Sequence, residues 1–105
     1  MIELNKNKKV LDAVSLASNQ TSDSIELNDS RGYCVHSIIT GSPVGSLIVE
    51  VSNDNSNFVA EDTYAVSAAG QRLYNKDGAY YKYIRVRYSF TSGSGSLTSY
   101  VSTKG

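Results

Sequence analysis

From residue 24 onward, apolar and polar residues alternate with a period of two, which is the spacing of a strand with one buried face. The clearest case is YYKYIRVRYSF, residues 80–90. Ile84, Val86, Tyr88 and Phe90 fall on one face; Tyr81, Tyr83, Arg85, Arg87 and Ser89 fall on the other. Such a strand is stable only in a sheet that covers the first face and leaves the second to water or to a partner. The same spacing predicts strands at SIEL (24–27), YCVHSIIT (33–40), SLIVEVS (46–52), QRLYN (71–75) and SLTSYVS (96–102). NFVAEDTYAVS (57–67) reads as one broken strand or two short ones. The runs stop at NDSRG, GSPVG, KDG and TSGSG, all rich in turn-forming residues.

No helical segment separates these strands, so a parallel α/β sheet is excluded. Seven or eight short strands with regular turns predict an all-β fold, an antiparallel β-sandwich of Ig-like or jelly-roll-like type. VLDAVSLA (10–17) fits neither period cleanly and is assigned as extended, like everything after it. Residues 1–20 are expected to form an extended N-terminal arm whose first nine residues dock on a neighbouring subunit. Residues 21–105 are expected to form the sandwich domain.

Composition agrees with strands and turns: 17 Ser, 6 Thr, 8 Asn and 8 Tyr, with one Pro and no Trp. A chain of 105 residues accommodates one domain. Ten basic and ten acidic residues cancel, so no overall field draws the chain to nucleic acid or to an anionic membrane, and neither is expected as a partner. The first twenty residues lack the pattern of a signal peptide, so synthesis in a host cytoplasm is expected. Without secretion, the glycosylation-like tripeptides NQT and NDS are chance matches.

Groups for chemistry are scarce. Cys34 and His36 share a strand face, with no carboxylate near in sequence to orient the imidazole. One Cys and one His do not make a zinc site. SNDNSN (52–57) is the one acidic-amide cluster that could suit calcium, but it holds a single carboxylate, Asp54, and reads as a hairpin turn. No enzyme activity, metal or cofactor is expected. Binding then has to come from surface. Tyr81, Tyr83, Arg85 and Arg87, with the basic Lys6, Lys8 and Lys9 of the arm, are the candidate interface residues.

Three segments, IITGSPVGSLIVEVSNDNSNF, VSAAGQRLYN and YYKYIRVRYSFTSGSGSLTSYVSTKG, together resemble small β-sandwich proteins encoded in the structural gene clusters of tailed bacteriophages and prophages. The resemblance covers about residues 33–105. Its marks are a strand ending in SNDG-x-x-W, a G-x-x-x-W/Y-N strand, a Y-x-Y-[IV]-R-[VL] strand and a TSGSG hairpin. This chain departs from the pattern at Asn55, where Gly is usual, and at Phe58, where Trp is usual. Asn tolerates the left-handed backbone that Gly provides, and Phe58 is expected to re-enter the core in place of Trp. The resemblance implies a virion protein: a capsid decoration (cement) protein, or a tail or head–tail accessory protein. Such a protein would work through symmetric contacts, as a homo-oligomer, with the major capsid protein or other virion proteins. The alternative is a carbohydrate-binding β-sandwich module that uses exposed Tyr rings as stacking platforms.

Overall fold

The computed structural model describes residues 6–27, 32–77 and 81–104. Nine strands and no helix occur among them. They are β1 (Lys6–Ser15), β2 (Gln20–Thr21), β3 (Ile25–Glu26), β4 (Gly32–Gly41), β5 (Val44–Ser52), β6 (Val59–Val66), β7 (Gly70–Asp77), β8 (Tyr83–Ser92) and β9 (Gly95–Lys104). All pairings are antiparallel. Sheet A has the order β1-β9-β4-β7; sheet B has the order β2-β8-β5-β6, with β3 also on β8.

This order separates the two expected architectures. First pairs with last (β1 with β9), β2 and β3 pair with β8, β4 with β7, and β5 with β6. One long antiparallel ribbon folded over itself gives that pattern, which is the jelly roll rather than the Ig arrangement. The strand count exceeds seven or eight because the edge opposite β8 is split. Ser22 bridges the split: its N–H donates to the Val86 carbonyl at 2.9 Å, and its Oγ accepts the Val86 N–H at 2.9 Å. The split edge leaves β2 too short for sequence periodicity to reveal it.

Residues from Lys6 onward are not a free arm. β1 pairs with β9 from Lys6↔Thr103 to Ser15↔Ser96. Leu11 and Leu16 are buried in the core. The periodicity of VLDAVSLA is blurred because the register shifts twice, between Lys9 and Leu11 and between Leu11 and Val14. Ala13 sits there with φ 48°, and its N–H is taken by Thr98 Oγ1 at 3.0 Å. The first five residues of the expected arm lie outside the described residues.

The core lies between the sheets. Sheet B supplies Leu47, Val49, Val51, Ile84, Val86 and Tyr88, as the alternation requires, and sheet A supplies Tyr33, Val35, Ile39, Leu97 and Val101. Ser37 and Ser99 also point inward and bond each other at 2.9 Å, which satisfies two hydroxyls that burial would otherwise penalise. Phe90, expected in the inner row of β8, is exposed. It pairs with Gly45, the last regular position before the register shift at the end of β8, where the facing strand carries no side chain to cover it.

Tyr88 is fully buried, and its ring lies over Gly45. A methyl group at Gly45 would collide with that ring and with the Ser89 carbonyl. Gly45→Ala is therefore expected to destabilise the fold by about 1–3 kcal/mol, the usual cost of overpacking. An unchanged midpoint in chemical denaturation would show that Tyr88 moves aside freely.

Candidate functional site

The outer face of sheet B is organised by one carboxylate. Glu50 lies opposite Arg85 on β8, and Ile48 lies opposite Arg87. Arg85 Nε donates to Glu50 Oε1 at 2.8 Å, and Arg87 Nε to Oε2 at 3.0 Å. The Glu50 side chain is only 9% exposed. Burial raises its pKa, and the hydrogen bonds and charges of the two arginines outweigh that and hold it below the ordinary carboxylate value. The Arg85 guanidinium also lies 3.8 Å from the centre of the Phe58 ring. Phe58 therefore does not re-enter the core: it packs on the outer face, where it shields the ion pairs.

The sequence-derived interface residues do not form one patch. Tyr83, Arg85 and Arg87 share the outer face of sheet B. Tyr81 precedes β8 and turns to the sandwich margin, where it packs against the core. Its hydroxyl bonds the Glu61 carboxylate, which, ahead of burial, raises its pKa. Lys8 and Lys9 are exposed on β1 in the other sheet, and Lys9 lies over the Tyr100 ring at 5.6 Å. The side chain of Lys6 lies outside the described residues. Glu50 was not among the candidates. Its signal was a lone carboxylate in the apolar run LIVEV, opposite an Arg-x-Arg strand.

Between edge strands β6 and β7 the sandwich is closed by ion pairs. Arg72 meets Asp62 at 2.8 Å, and Lys76 meets Glu61 at 3.7 Å. Arg72 also lies over the Tyr64 ring, 4.3 Å from its centre. A bulge in β6, opposite Val49 and Glu50, makes room for this by turning both acids toward β7.

The SNDNSN turn uses its own polar groups. Asp54 Oδ1 accepts the N–H groups of Ser56 and Asn57 at 2.9 and 2.8 Å, and Oδ2 accepts Asn57 Nδ2 at 2.7 Å. The Ser52 hydroxyl donates to Oδ1 at 2.9 Å. These bonds, led by those from Asn57, hold the Asp54 pKa far below the ordinary range. Asn55 takes φ 59°, the left-handed conformation for which Gly is usual. Beside the turn, Asn53, Asp54, Asn57, Val59 and Tyr81 line an open groove of about 360 Å³. Asn53 Oδ1 accepts the Lys82 N–H at 3.2 Å, a proton it shares with the Ser52 carbonyl at 3.1 Å. Among the described residues, no three of His, Cys, Asp and Glu gather as metal ligands.

The outer face of sheet A has a different chemistry. In register across β9, β4 and β7 stand Ser102, Cys34 and Asn75; Tyr100, His36 and Leu73; and Thr98, Ile38 and Gln71. His36 stacks on Tyr100 with ring centres 6.3 Å apart and bonds Gln71 Oε1 through Nε2 at 2.8 Å. Cys34 is half-buried, and burial raises its pKa. Cys34 and His36 are neighbours on one face, as expected, but His36 is oriented by a neutral amide.

No protein-family model matches the chain, and no curated protein matches it by sequence. The fold is shared with solved structures. The chain is similar to the SPBc2 prophage-derived protein YomS, with TM-score 0.66 and 12% identity over 97% of this chain and 96% of that one. It is similar to the PBSX exported protein XepA, with TM-score 0.71 and 15% identity over 95% of this chain but 37% of XepA. It is also similar to PirA, with TM-score 0.61 and 14% identity over 96% of this chain and 95% of that one. At 12–15% identity, these likenesses show a shared all-β fold.

Two outcomes follow. The lowered Glu50 pKa stabilises the fold above the ordinary carboxylate value, about pH 4.5, and that contribution is lost as pH falls through the folded value. Glu50→Gln should therefore cost about 1–3 kcal/mol near neutral pH, and the gap to the parent chain should close in acid. A gap independent of pH would mean that shape, not charge, holds the arginines. Calcium or a chelator should leave the thermal midpoint unchanged, because N–H donors already occupy the Asp54 oxygens. A calcium-dependent midpoint would contradict this.

Proposed function

We propose that this chain is a phage virion structural protein, a capsid decoration or head–tail accessory protein that works by protein–protein contact and without catalysis. The observation that carries the reading is the end-to-end likeness of fold to prophage-derived YomS. The surface chemistry supports it. The described residues offer broad sheet faces, and the Asp54 carboxylate beside the groove at the SNDNSN turn is engaged in holding its own loop. The sequence motifs of residues 33–105 point the same way. Its partners are then other virion proteins, chief among them the major capsid protein, and its place is the particle.

Mass spectrometry of purified particles from the phage that encodes the chain is the direct test. The chain should appear at the copy number of a structural component. Its absence from particles, in a lysate where it is plainly expressed, would sink the proposal.

A further inference from the structure

The outer face of sheet A has the composition of an interface centre. Lys9, Tyr100, His36 and Leu73 lie side by side in one row across β1, β9, β4 and β7. Leu73 is 58% exposed in that row, and half-buried Ile38 follows in the next. At the outward positions of β4, Cys34, His36, Ile38 and Thr40, and at those paired with them on β9 and β7, no residue is Asp, Glu, Lys or Arg; Arg72, paired with the inward Ser37, is held by Asp62 of the other sheet. Charge begins at the margins: Lys9 with Asp12, 3.5 Å apart on the β1 side, and Asp77 at the end of β7. A neutral, partly aromatic centre with a charged rim is what distinguishes the middle of a protein interface from ordinary surface. The outer face of sheet B has no such centre, because its arginines and Glu50 lie in the middle.

The geometry points to a second copy of this chain as the occupant, packed face to face on sheet A. The proposal rests on the reading that the chain works by protein contact, and it names the partner and the face. A face without charge at its centre selects neither an acidic nor a basic partner, but it complements itself. A twofold axis parallel to the strands, between β9 and β4, lays β7 of one copy over β1 of the other. Each Leu73 then covers the Lys9–Tyr100 end of the facing row, and the two ammonium groups stay at opposite margins in water. Sheets pack this way about 10 Å apart. Four strands about 4.8 Å apart and about eight residues long give a face of roughly 19 by 26 Å. A stable interface draws about 800 Å² of accessible surface from each partner, so a face of this size supports a concentration-dependent dimer rather than an obligate one.

Sedimentation of the full chain under reducing conditions, from micromolar to millimolar, should show a monomer–dimer equilibrium. Leu73→Glu and Ile38→Glu should each weaken it by about tenfold or more, because each would bury an unpaired carboxylate. Thr63→Glu, exposed on the outer face of sheet B, should not change it. Cys34, the sole cysteine, provides a second measurement that needs no variant fold. Its alkylation should slow as the concentration of the parent chain rises, and should not slow in Leu73→Glu. A parent chain monomeric throughout, a dimer that survives Leu73→Glu, or alkylation of Cys34 independent of concentration would each overturn the proposal. A monomer that is nonetheless found in virions would overturn the second copy and leave the virion reading standing.

Discussion

Strands β5 and β8 pair from Val44↔Ser92 to Ser52↔Tyr83, and that register decides on which side of the molecule the other groups lie. It sets Val49 against Val86 and Val51 against Ile84 inside, and Glu50 against Arg85 outside. A slip of one residue would turn Arg85 and Arg87 into the core and expose Ile84 and Val86. Both faces resist it. The inner face would lose apolar burial worth about 25 cal/mol per Å². The outer face would separate two guanidiniums from the one carboxylate placed between them. With this pair fixed, β2 and β3 need only a few bonds each along β8, and β6 can bend at its bulge without loosening the core.

The strand alternation was legible in the sequence because its cause is local. Parity placed Ile84, Val86 and Tyr88 inside and Arg85 and Arg87 outside, where the structure has them. The SNDNSN turn was legible for the same reason, since Asn and Asp satisfy their own backbone. Features that depend on distant partners were hidden. Nothing around Phe58 indicates that Arg85 will draw it to the outer face, and nothing in NKNKKVLDA announces that β9 waits to pair with it. The bulges in β1 and β6 break the two-residue period at the very places where the chain does something unusual. Polar tracts were read as an arm or as breaks where the structure has edge strands.

The candidate site was the less legible part. Interleaved Tyr and Arg suggested a binding face, yet in the fold those arginines are committed to Glu50 and Phe58, which lowers their availability to a partner. The neutral face lies across three strands far apart in sequence, and each contributes an unremarkable mixture of Ser, Thr, Gln and one larger side chain. Only the register brings Leu73, His36 and Tyr100 into one row.

The pairing of β1 with β9 has a consequence in time. Lys6 faces Thr103, so the first strand, at the edge of its sheet, has no neighbour to pair with until the last strand exists. While a ribosome is still making the chain, Leu11 on β1 has no sheet to join, and the strands already made pair as the hairpin β5–β6, its extension to β4–β7 and, once β8 is complete, β8 with β5, β2 and β3. Closing so long a loop late is slow compared with local pairing. Until β9 emerges, β4 presents a bare edge beside a half-covered apolar layer, the kind of surface on which chains aggregate. The charged residues of its edge strands, Lys8, Lys9 and Asp12 on β1, Glu61 and Asp62 on β6, and Arg72, Lys76 and Asp77 on β7, keep those unfinished surfaces wet.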